Sequence, residues 1–344
     1  MNISTLMRTP RSWLAAGSML PSKVNWFRVL TMLALAGAPS FAAAQSDYPS
    51  KLIRVLVGYP AGGTTDLLAR ALAHEAKKSL GQELIVINKT GASATLAISE
   101  VIAAIPDGYT LGVTPSGPVT VAHFYLNIAS NLLEGVTTFG SFARMRSGLI
   151  VKGDSPLRSV VDFIEYARRN PGKASIGITG VGSKMSVGLR LFVDQEKLDT
   201  NLVPFQGDAP AATALLGGHV TAAAFSAASW APHVRSGSMR VLASLEDDRF
   251  ELAPNTPTLI EAGYPFSITS LVFAYGPKGL PASVGKRLSD AFAEASRSPT
   301  FIDVARRNEL AVENPLSAEA LERWLIKDRA SVGVIVEKLG LRNK

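Results

Sequence analysis

Short apolar runs alternate with amphipathic stretches along most of this chain. Lys51–Tyr59 is rich in β-branched residues, as expected for a strand buried on both faces, and Asp66 is predicted to open a helix behind it. A second strand is predicted at Leu84–Asn88, a second helix at Thr95–Ala104 and a third strand at Tyr109–Thr114. This βαβαβ alternation predicts a doubly wound parallel sheet.

The same alternation returns in the second half of the chain. Further strands are predicted at Leu149–Val151, Ala174–Ile178, Leu202–Phe205, Val220–Phe225, Met239–Ser244 and Ile268–Tyr275. Helices are predicted at Val160–Arg169, Ser183–Gln195, Ala209–Leu216, Ala282–Ser296, Thr300–Arg307 and Ala318–Leu339. These patterns predict two α/β lobes, with the three C-terminal helices returning to the first lobe.

The predicted lobes are not contiguous in sequence. We expect the first lobe to comprise residues 45–146 and 270–344, and the second lobe to comprise residues 147–269. Paired crossover strands near Ser141–Lys152 and Pro265–Gly276 are expected to join them.

The first 44 residues have the pattern of a signal peptide. Basic residues end at Arg28, an apolar run spans Val29–Ala36, and three alanines ending at Ala44 offer a cleavage site. Met19 is an alternative start to Met1, because it would leave a leader of ordinary length. We therefore expect export and a periplasmic location.

Composition narrows the class further. Apolar residues make up 47% of the chain and charged residues 18%, which favours a folded protein with a substantial core. The sequence contains no cysteine, which excludes disulfides, thiolate metal sites and cysteine nucleophiles. The net charge is +7, but subtracting the four basic residues of the leader leaves +3, so nucleic acid is not an expected partner.

A glycine-containing loop follows the first predicted strand. Gly62 and Gly63 allow close approach of a ligand, and the helix that starts near Asp66 directs free N–H groups and its positive dipole end toward the same space. Such a junction can bind a small anion, although a tight turn capped by Thr65 or Asp66 would look the same in sequence. Similar loops follow other strands, at Thr90–Ser93, Thr114–Gly117, Thr179–Ser183 and Phe205–Ala209.

Catalytic signatures are missing from the sequence. The stretch Gly177–Lys184 approaches a P-loop, but Ser183 stands where the lysine is needed, and Met185 interrupts a dinucleotide-binding pattern. There is no G-x-S-x-G elbow, and the four histidines lack close metal-ligand spacing. Asp66 is interpreted as a helix-start carboxylate and Asp208 as a helix cap, so we expect no catalytic residue, metal or cofactor.

The ordered segments together resemble a known family. The matching pieces, in order, are YPSKLIRVLVGYPAGGTTDLLAR, TGASATLAI, PDGYTLGVTPSG, NPGKASIGITGVGS, VPFQGDAPAATALLGGHV, PHVRSGSMRVLA, NTPTLIEAGYP and FAYGPKGLP. From about Tyr48 to Leu341 the chain is similar to the Bug-type solute receptors, the extracytoplasmic components of tripartite tricarboxylate transporters. The resemblance implies a type II periplasmic-binding-protein fold, a small carboxylate ligand, membrane transporter subunits as partners and a monomeric state.

The resemblance also implies a set of binding residues. In this family the first-strand loop holds one carboxylate through main-chain N–H groups, and loops of both lobes complete the cleft. The positions that correspond are Tyr59, Ala61, Gly62, Gly63, Thr64, Thr65, Asp66, Ser116, Gly117, Gly182, Ser183, Gln206, Gly207 and Asp208.

The chain departs from the family pattern in the second lobe. Thr221 stands where an aspartate is usual, Gln206 where a basic residue is common, and Ala94 replaces a frequent glycine. We therefore expect a smaller, more apolar and less cationic wall, and a ligand with one carboxylate and an apolar or uncharged body. A sensory receptor for a membrane regulator is the alternative, and an exported hydrolase or lyase is a further one.

Overall fold

A computed structural model describes residues 48–126, 131–180, 183–265, 267–312 and 314–340. The predicted signal peptide and Gly182 lie outside the described residues.

Two five-stranded sheets organise the described chain. The first sheet has the order β2-β1-β3-β10-β4. Its strands are β1 Ile53–Val57, β2 Leu84–Asn88, β3 Thr110–Pro115, β4 Val136–Met145 and β10 Ser270–Pro277. The strands β1, β2 and β3 are parallel, whereas β10 runs antiparallel to both β3 and β4.

The second sheet repeats this topology with the order β7-β6-β8-β5-β9. Its strands are β5 Ser147–Lys152, β6 Ala174–Thr179, β7 Thr200–Phe205, β8 Ala222–Ser226 and β9 Met239–Ser244. Here β6 is parallel to β7 and β8, and β5 is the antiparallel strand. The sheets are therefore mixed, whereas the sequence predicted parallel ones. In each sheet the antiparallel strand, β10 or β5, follows directly from a connection between the sheets.

Helices cover both sheets. They are α1 Thr64–Leu80, α2 Thr95–Ile102, α3 Gly117–Thr120, α4 Ala122–Tyr125, α5 Val160–Arg169, α6 Lys184–Gln195, α7 Asp208–Leu216, α8 Ala227–Arg235, α9 Ala282–Ser296, α10 Pro299–Arg307 and α11 Ala318–Lys338. The C-terminal helices α9 and α10 pack on α1, and α11 packs on β4, so all three return to the first sheet as predicted. We call each sheet with its helices a lobe. None of the described helices has the length and apolar character needed to cross a membrane.

Each sheet is buried on both faces because its strands carry apolar side chains at successive positions. In β1, Val55 and Val57 enter one core cluster and Leu56 enters the cluster on the opposite face. In β8, Ala224 and Phe225 divide between two clusters in the same way. The loops at the strand ends are thereby held on rigid supports.

Candidate functional site

A small cavity lies between the lobes, at the carboxyl ends of strands from both sheets. Its volume is about 60 Å³, which leaves room for about four to six water-sized groups. The residues around it are Tyr59, Pro60, Gly63, Thr64, Thr65, Pro115, Gly117, Pro118, Met145, Ser147, Thr179, Ser183, Lys184, Met185, Asp208, Ala209, Ser226, Ile268 and Ser270. Ligands of open α/β sheets bind at this end of the strands, so the location is that of a binding site.

The β1–α1 loop supplies one wall. Gly62 takes a left-handed conformation with φ of 80°, and Gly63 is the N-cap of α1 with no side-chain cap hydrogen bond. The first main-chain hydrogen bond of the helix joins the Leu67 N–H to the Gly63 carbonyl at 3.0 Å. The N–H groups of Thr64 and Thr65, before it, are therefore available to an anion beside the positive end of the helix dipole.

Asp66 positions this loop. Its carboxylate accepts hydrogen bonds from the Gly62 N–H at 2.9 Å, the Arg70 guanidinium at 3.0 Å and the Asn88 amide at 2.8 Å. Burial disfavours its ionised form, but these donors outweigh burial and hold the pKa of Asp66 below its usual value. Its oxygens are thus engaged by its own lobe, and Asp66 is not among the residues around the cavity.

Asp208 links the two lobes. It is the first residue of α7, but Gly207 is the N-cap and the Asp208 side chain makes no cap hydrogen bond, so its interpretation as a helix cap is wrong. Its Oδ2 accepts a hydrogen bond from the Thr64 hydroxyl of the first lobe at 3.2 Å, and another from Ser226 of its own lobe. Thr64 and Ser226 also hydrogen bond to each other. The hydroxyl–carboxylate cluster therefore closes one side of the cavity.

Lys184 also borders the cavity. Its ammonium forms an ion pair with Asp328 of α11 at 2.5 Å, donates to the Thr269 carbonyl and lies 4.7 Å from the centre of the Trp324 ring. Burial lowers the pKa of Lys184, while Asp328 opposes that shift. Because α6 belongs to the second lobe and α11 packs on the first, this pair also joins the lobes.

The structure brings half of the predicted binding positions to the cavity. Those that line it are Tyr59, Gly63, Thr64, Thr65, Gly117, Ser183 and Asp208. Gln206 and Gly207 lie at an adjacent smaller cavity that Tyr59 and Ser183 share. Ala61 and Gly62 are exposed, and Ser116 is fully buried, with its hydroxyl 3.4 Å from that of Ser270.

Several residues at the cavity were not predicted. Ser226 ends β8, and the rule that ligands meet the carboxyl ends of strands could have identified it. Met145, Ser147, Ile268 and Ser270 come from the connections between the lobes, where no local pattern marks a binding residue.

Two departures from the family pattern lie away from the cavity. Thr221 precedes β8 at the opposite end from Ser226, where its hydroxyl accepts a hydrogen bond from the Ser175 N–H at 3.2 Å. Gln206 is exposed and is not among the residues around the main cavity. The expected change in the cavity wall therefore does not come from Thr221 or Gln206. Asp208 and Ser226 are among the second-lobe residues that line that wall.

Known proteins are similar to the chain over most of its length. The family described as tripartite tricarboxylate transporter family receptor matches residues 68–341. A protein from Cupriavidus necator, named as a UPF0065 protein in the gbd 5' region, is 33% identical over 313 residues, covering 90% of this chain and 93% of the relative.

Solved structures share the fold. The periplasmic binding protein BugD superposes with a TM-score of 0.81 and 26% identity, covering 86% of this chain and 100% of BugD. MatC from Rhodopseudomonas palustris, with bound malate, superposes with a TM-score of 0.79 and 26% identity, covering 84% of this chain and 100% of MatC. Sequence and fold agree, and the chain belongs to the tripartite tricarboxylate transporter family of receptors.

Proposed function

We propose that this protein is an exported receptor that captures a small carboxylate between its lobes and delivers it to the membrane subunits of a tripartite tricarboxylate transporter. The observation that carries the proposal is the start of α1, where Thr64 and Thr65 border the cavity and their N–H groups have no main-chain hydrogen-bond partner in the described part of the chain. The family is one of solute receptors and not of enzymes, and the related MatC structure contains malate.

The contacts between the lobes support capture by closure. Thr64 of the first lobe contacts Asp208 of the second, and Lys184 of the second lobe contacts Asp328 of a helix that packs on the first. A receptor of this kind changes its open and closed populations because the ligand binds both walls only in the closed form. The closed form then presents a surface composed of both lobes to the membrane partner.

The remaining cavity residues favour a cargo with a compact, partly apolar body. Met145, Met185 and Ile268 contribute apolar side chains, and Pro115 and Pro118 contribute rings. Together with the volume of about 60 Å³, these side chains disfavour a bulky tricarboxylate.

The organisation and location of the mature protein are part of the proposal. We place the first lobe at residues 45–146 and 270–344, the second at 147–269, and cleavage of the signal peptide near Ala44. The protein would act as a periplasmic monomer. Intact mass spectrometry of periplasmic extract should give a chain starting at Gln45; retention of the basic leader would contradict this part.

The anion site can be tested by removing a single N–H group. Proline suits the first helical position, and Gly63 before it is extended (φ −77°, ψ 167°), as a residue preceding proline requires. Thr64→Pro deletes both the N–H and the hydroxyl, whereas the matched Thr64→Val deletes the hydroxyl alone. We expect Thr64→Pro to bind carboxylates about tenfold more weakly than Thr64→Val by calorimetry.

The cargo for that test comes from native mass spectrometry of the purified protein, followed by thermal-shift screening of mono-, di- and tricarboxylates. Equal affinity of the two Thr64 variants would refute anchoring by the main chain. Failure of every carboxylate to bind would refute the proposed function.

A further inference from the structure

The charged side chains that border the cavity differ in whether they have a counter-charge within the protein. Among its described residues, two carry a full charge, Lys184 and Asp208. The Lys184 ammonium is 2.5 Å from Asp328 and also donates to a carbonyl, so its charge is balanced inside the protein. The ionised Asp208 carboxylate has no such balance, since no ion pair of the described residues includes it.

The donors to Asp208 are all neutral. The hydroxyls of Thr64, Ser226 and Ser229 donate to Oδ2, at distances up to 3.5 Å. The Ser226 N–H also hydrogen bonds to the carboxyl group. Burial nevertheless raises the pKa of Asp208. A carboxylate that is partly removed from water and has only neutral donors lacks a counter-charge until a cation approaches it.

We propose that Asp208 binds a protonated amine of the cargo, so that the preferred ligand is a small zwitterion with a carboxylate and an ammonium group. The inference rests on the proposed function, because the carboxylate end would occupy the N–H groups at the start of α1. An ammonium beside the Asp208 carboxylate would give the acidic side chain a counter-charge and an ion-assisted hydrogen bond.

The two subsites adjoin, which sets the length of the cargo. Thr64 contributes its N–H to the carboxylate subsite, and its hydroxyl lies 3.2 Å from Asp208 Oδ2. A carboxylate and an amine separated by one or two carbons therefore fit, as in an α- or β-amino acid. Such a molecule has about six non-hydrogen atoms, in keeping with a cavity of about 60 Å³.

A dicarboxylate would meet a different environment. Its second carboxylate would face the Asp208 carboxylate, and like charges at this distance repel strongly in a buried site. It could bind only if Asp208 were neutral and acted as a hydrogen-bond donor. The two arrangements predict opposite preferences among ligands of the same length.

The test uses the whole mature protein, freed of retained cargo by unfolding and refolding, and isothermal titration calorimetry at neutral pH. The probes are propionate, alanine, β-alanine and malonate, which share a three-carbon skeleton and differ in the amine or the second carboxylate. We expect the better amino acid to bind about ten- to 100-fold more tightly than propionate, and malonate to bind no better than propionate.

The variant Asp208→Asn tests whether Asp208 causes the preference for an amine. In Asp208→Asn the ratio of amino-acid affinity to propionate affinity should fall to about one, whatever the absolute affinities of the variant. Asp154→Asn removes an exposed carboxylate elsewhere and should leave the preference unchanged. Circular dichroism of each variant checks that it folds. If Asp208→Asn does not fold, the ligand series on the wild-type protein still tests the inference.

The outcomes separate the two proposals. Equal binding of propionate and the amino acids, or tightest binding of malonate, would overturn the amine subsite and leave carboxylate capture standing. An amine preference that survives in Asp208→Asn would also overturn it. If no carboxylate binds in this series or in the broader screen, the proposed function itself fails.

Discussion

Three carboxylates of this receptor have different roles because their surroundings differ. Asp66 is almost fully buried, with its side chain 2% exposed, and receives donors from a loop, a helix and a strand. Asp208 receives three hydroxyls and a main-chain N–H, and no ion pair of the described residues includes it. Glu246 lies beside the β4–β5 connection, with Arg144 3.4 Å away and its Oε1 without a partner in the described chain. A carboxylate can thus position a loop, as at Asp66, form a proposed ligand contact, as at Asp208, or make stability depend on pH, as at Glu246.

Asp66→Asn should destabilise the protein at neutral pH by about 2 kcal/mol, since hydrogen bonds to a buried charge are lost. The folded pKa of Asp66 is below its usual 3.8, so its stabilisation is complete above that pH and is lost as pH falls through the folded value. Urea unfolding at neutral pH and at about pH 3 should show the difference between wild type and variant shrinking in acid. An undiminished difference in acid, or none at neutral pH, would count against this role.

Glu246→Gln should stabilise the protein, whereas Asp66→Asn should destabilise it. Burial raises the pKa of Glu246 to about 8, despite the opposing Arg144, from a usual value of 4.5. The folded protein therefore loses stability as pH rises between those values, because only the unfolded chain releases this proton freely. Relative to wild type, the variant should gain about 2 kcal/mol between pH 5 and about pH 8.5 in urea unfolding. The exposed pair member Glu165, changed to Gln, is the control and should show no such trend.

At the scale of elements, α6 and α11 form a contact that joins the lobes. Lys184 and Asp328 are both largely buried, with side chains 10% and 13% exposed. Close by, Val187 of α6 packs with Val332 and Val336 of α11. The ion pair is thus sheltered by an apolar contact between the same two helices.

Removing one member of this ion pair should cost more stability than removing both members. Asp328→Asn leaves the Lys184 ammonium buried without its counter-ion and should destabilise the protein by about 3 kcal/mol. Lys184→Met together with Asp328→Asn should be less destabilising than the sum of the single changes by at least about 1 kcal/mol. A double-mutant cycle in urea measures this coupling, and additive effects would mean that the pair does not hold the lobes together.

Elements with strong periodicity or apolar runs were predicted correctly. The strands Leu84–Asn88 and Met239–Ser244 and the helices Val160–Arg169 and Ala282–Ser296 have the predicted bounds. Most of β4 was missed because its sequence, VTTFGSFARM, mixes polar positions with Gly140, which takes φ of 97°. The helix α8 was missed because it follows β8 without a loop and contains Pro232.

The candidate site was predictable only where it follows strand ends. The loop after β1 and the start of α7 were found by that rule, although the side chain of Asp208 was misread. Its true partners, Thr64 and Ser226, are 144 and 18 residues away in sequence. No local pattern indicates the contact with Thr64, because it forms only where the two lobes meet.

At the scale of the whole molecule, close main-chain approach permits the lobes to meet. A side chain at Gly117 would place its Cβ 3.2 Å from the Lys184 main-chain nitrogen of the other lobe. A side chain at Gly207 would come within 3.1 Å of Pro60. Glycines therefore stand at the points where the lobes touch around the cavity.

Gly117→Val should hold the lobes apart. We expect a larger radius of gyration by small-angle X-ray scattering and at least about tenfold weaker cargo binding, because the ligand would no longer contact both walls. Gly285→Val is the matched control, since a Cβ at Gly285 meets no atom within 4 Å. Unchanged scattering and affinity in Gly117→Val would show that this contact does not govern closure.

The two walls of the cavity also differ in how easily mutation can remove their binding groups. The Thr64 and Thr65 N–H groups belong to the main chain, and almost any codon at these positions would retain them, with proline as the exception. The Asp208 carboxylate and the Ser226 hydroxyl are side chains that a single nucleotide change can remove. After a gene duplication, one copy could therefore acquire a new ligand through substitutions in the second lobe, while its main-chain N–H groups would still bind the carboxylate. Directed evolution of this receptor should begin at those two positions.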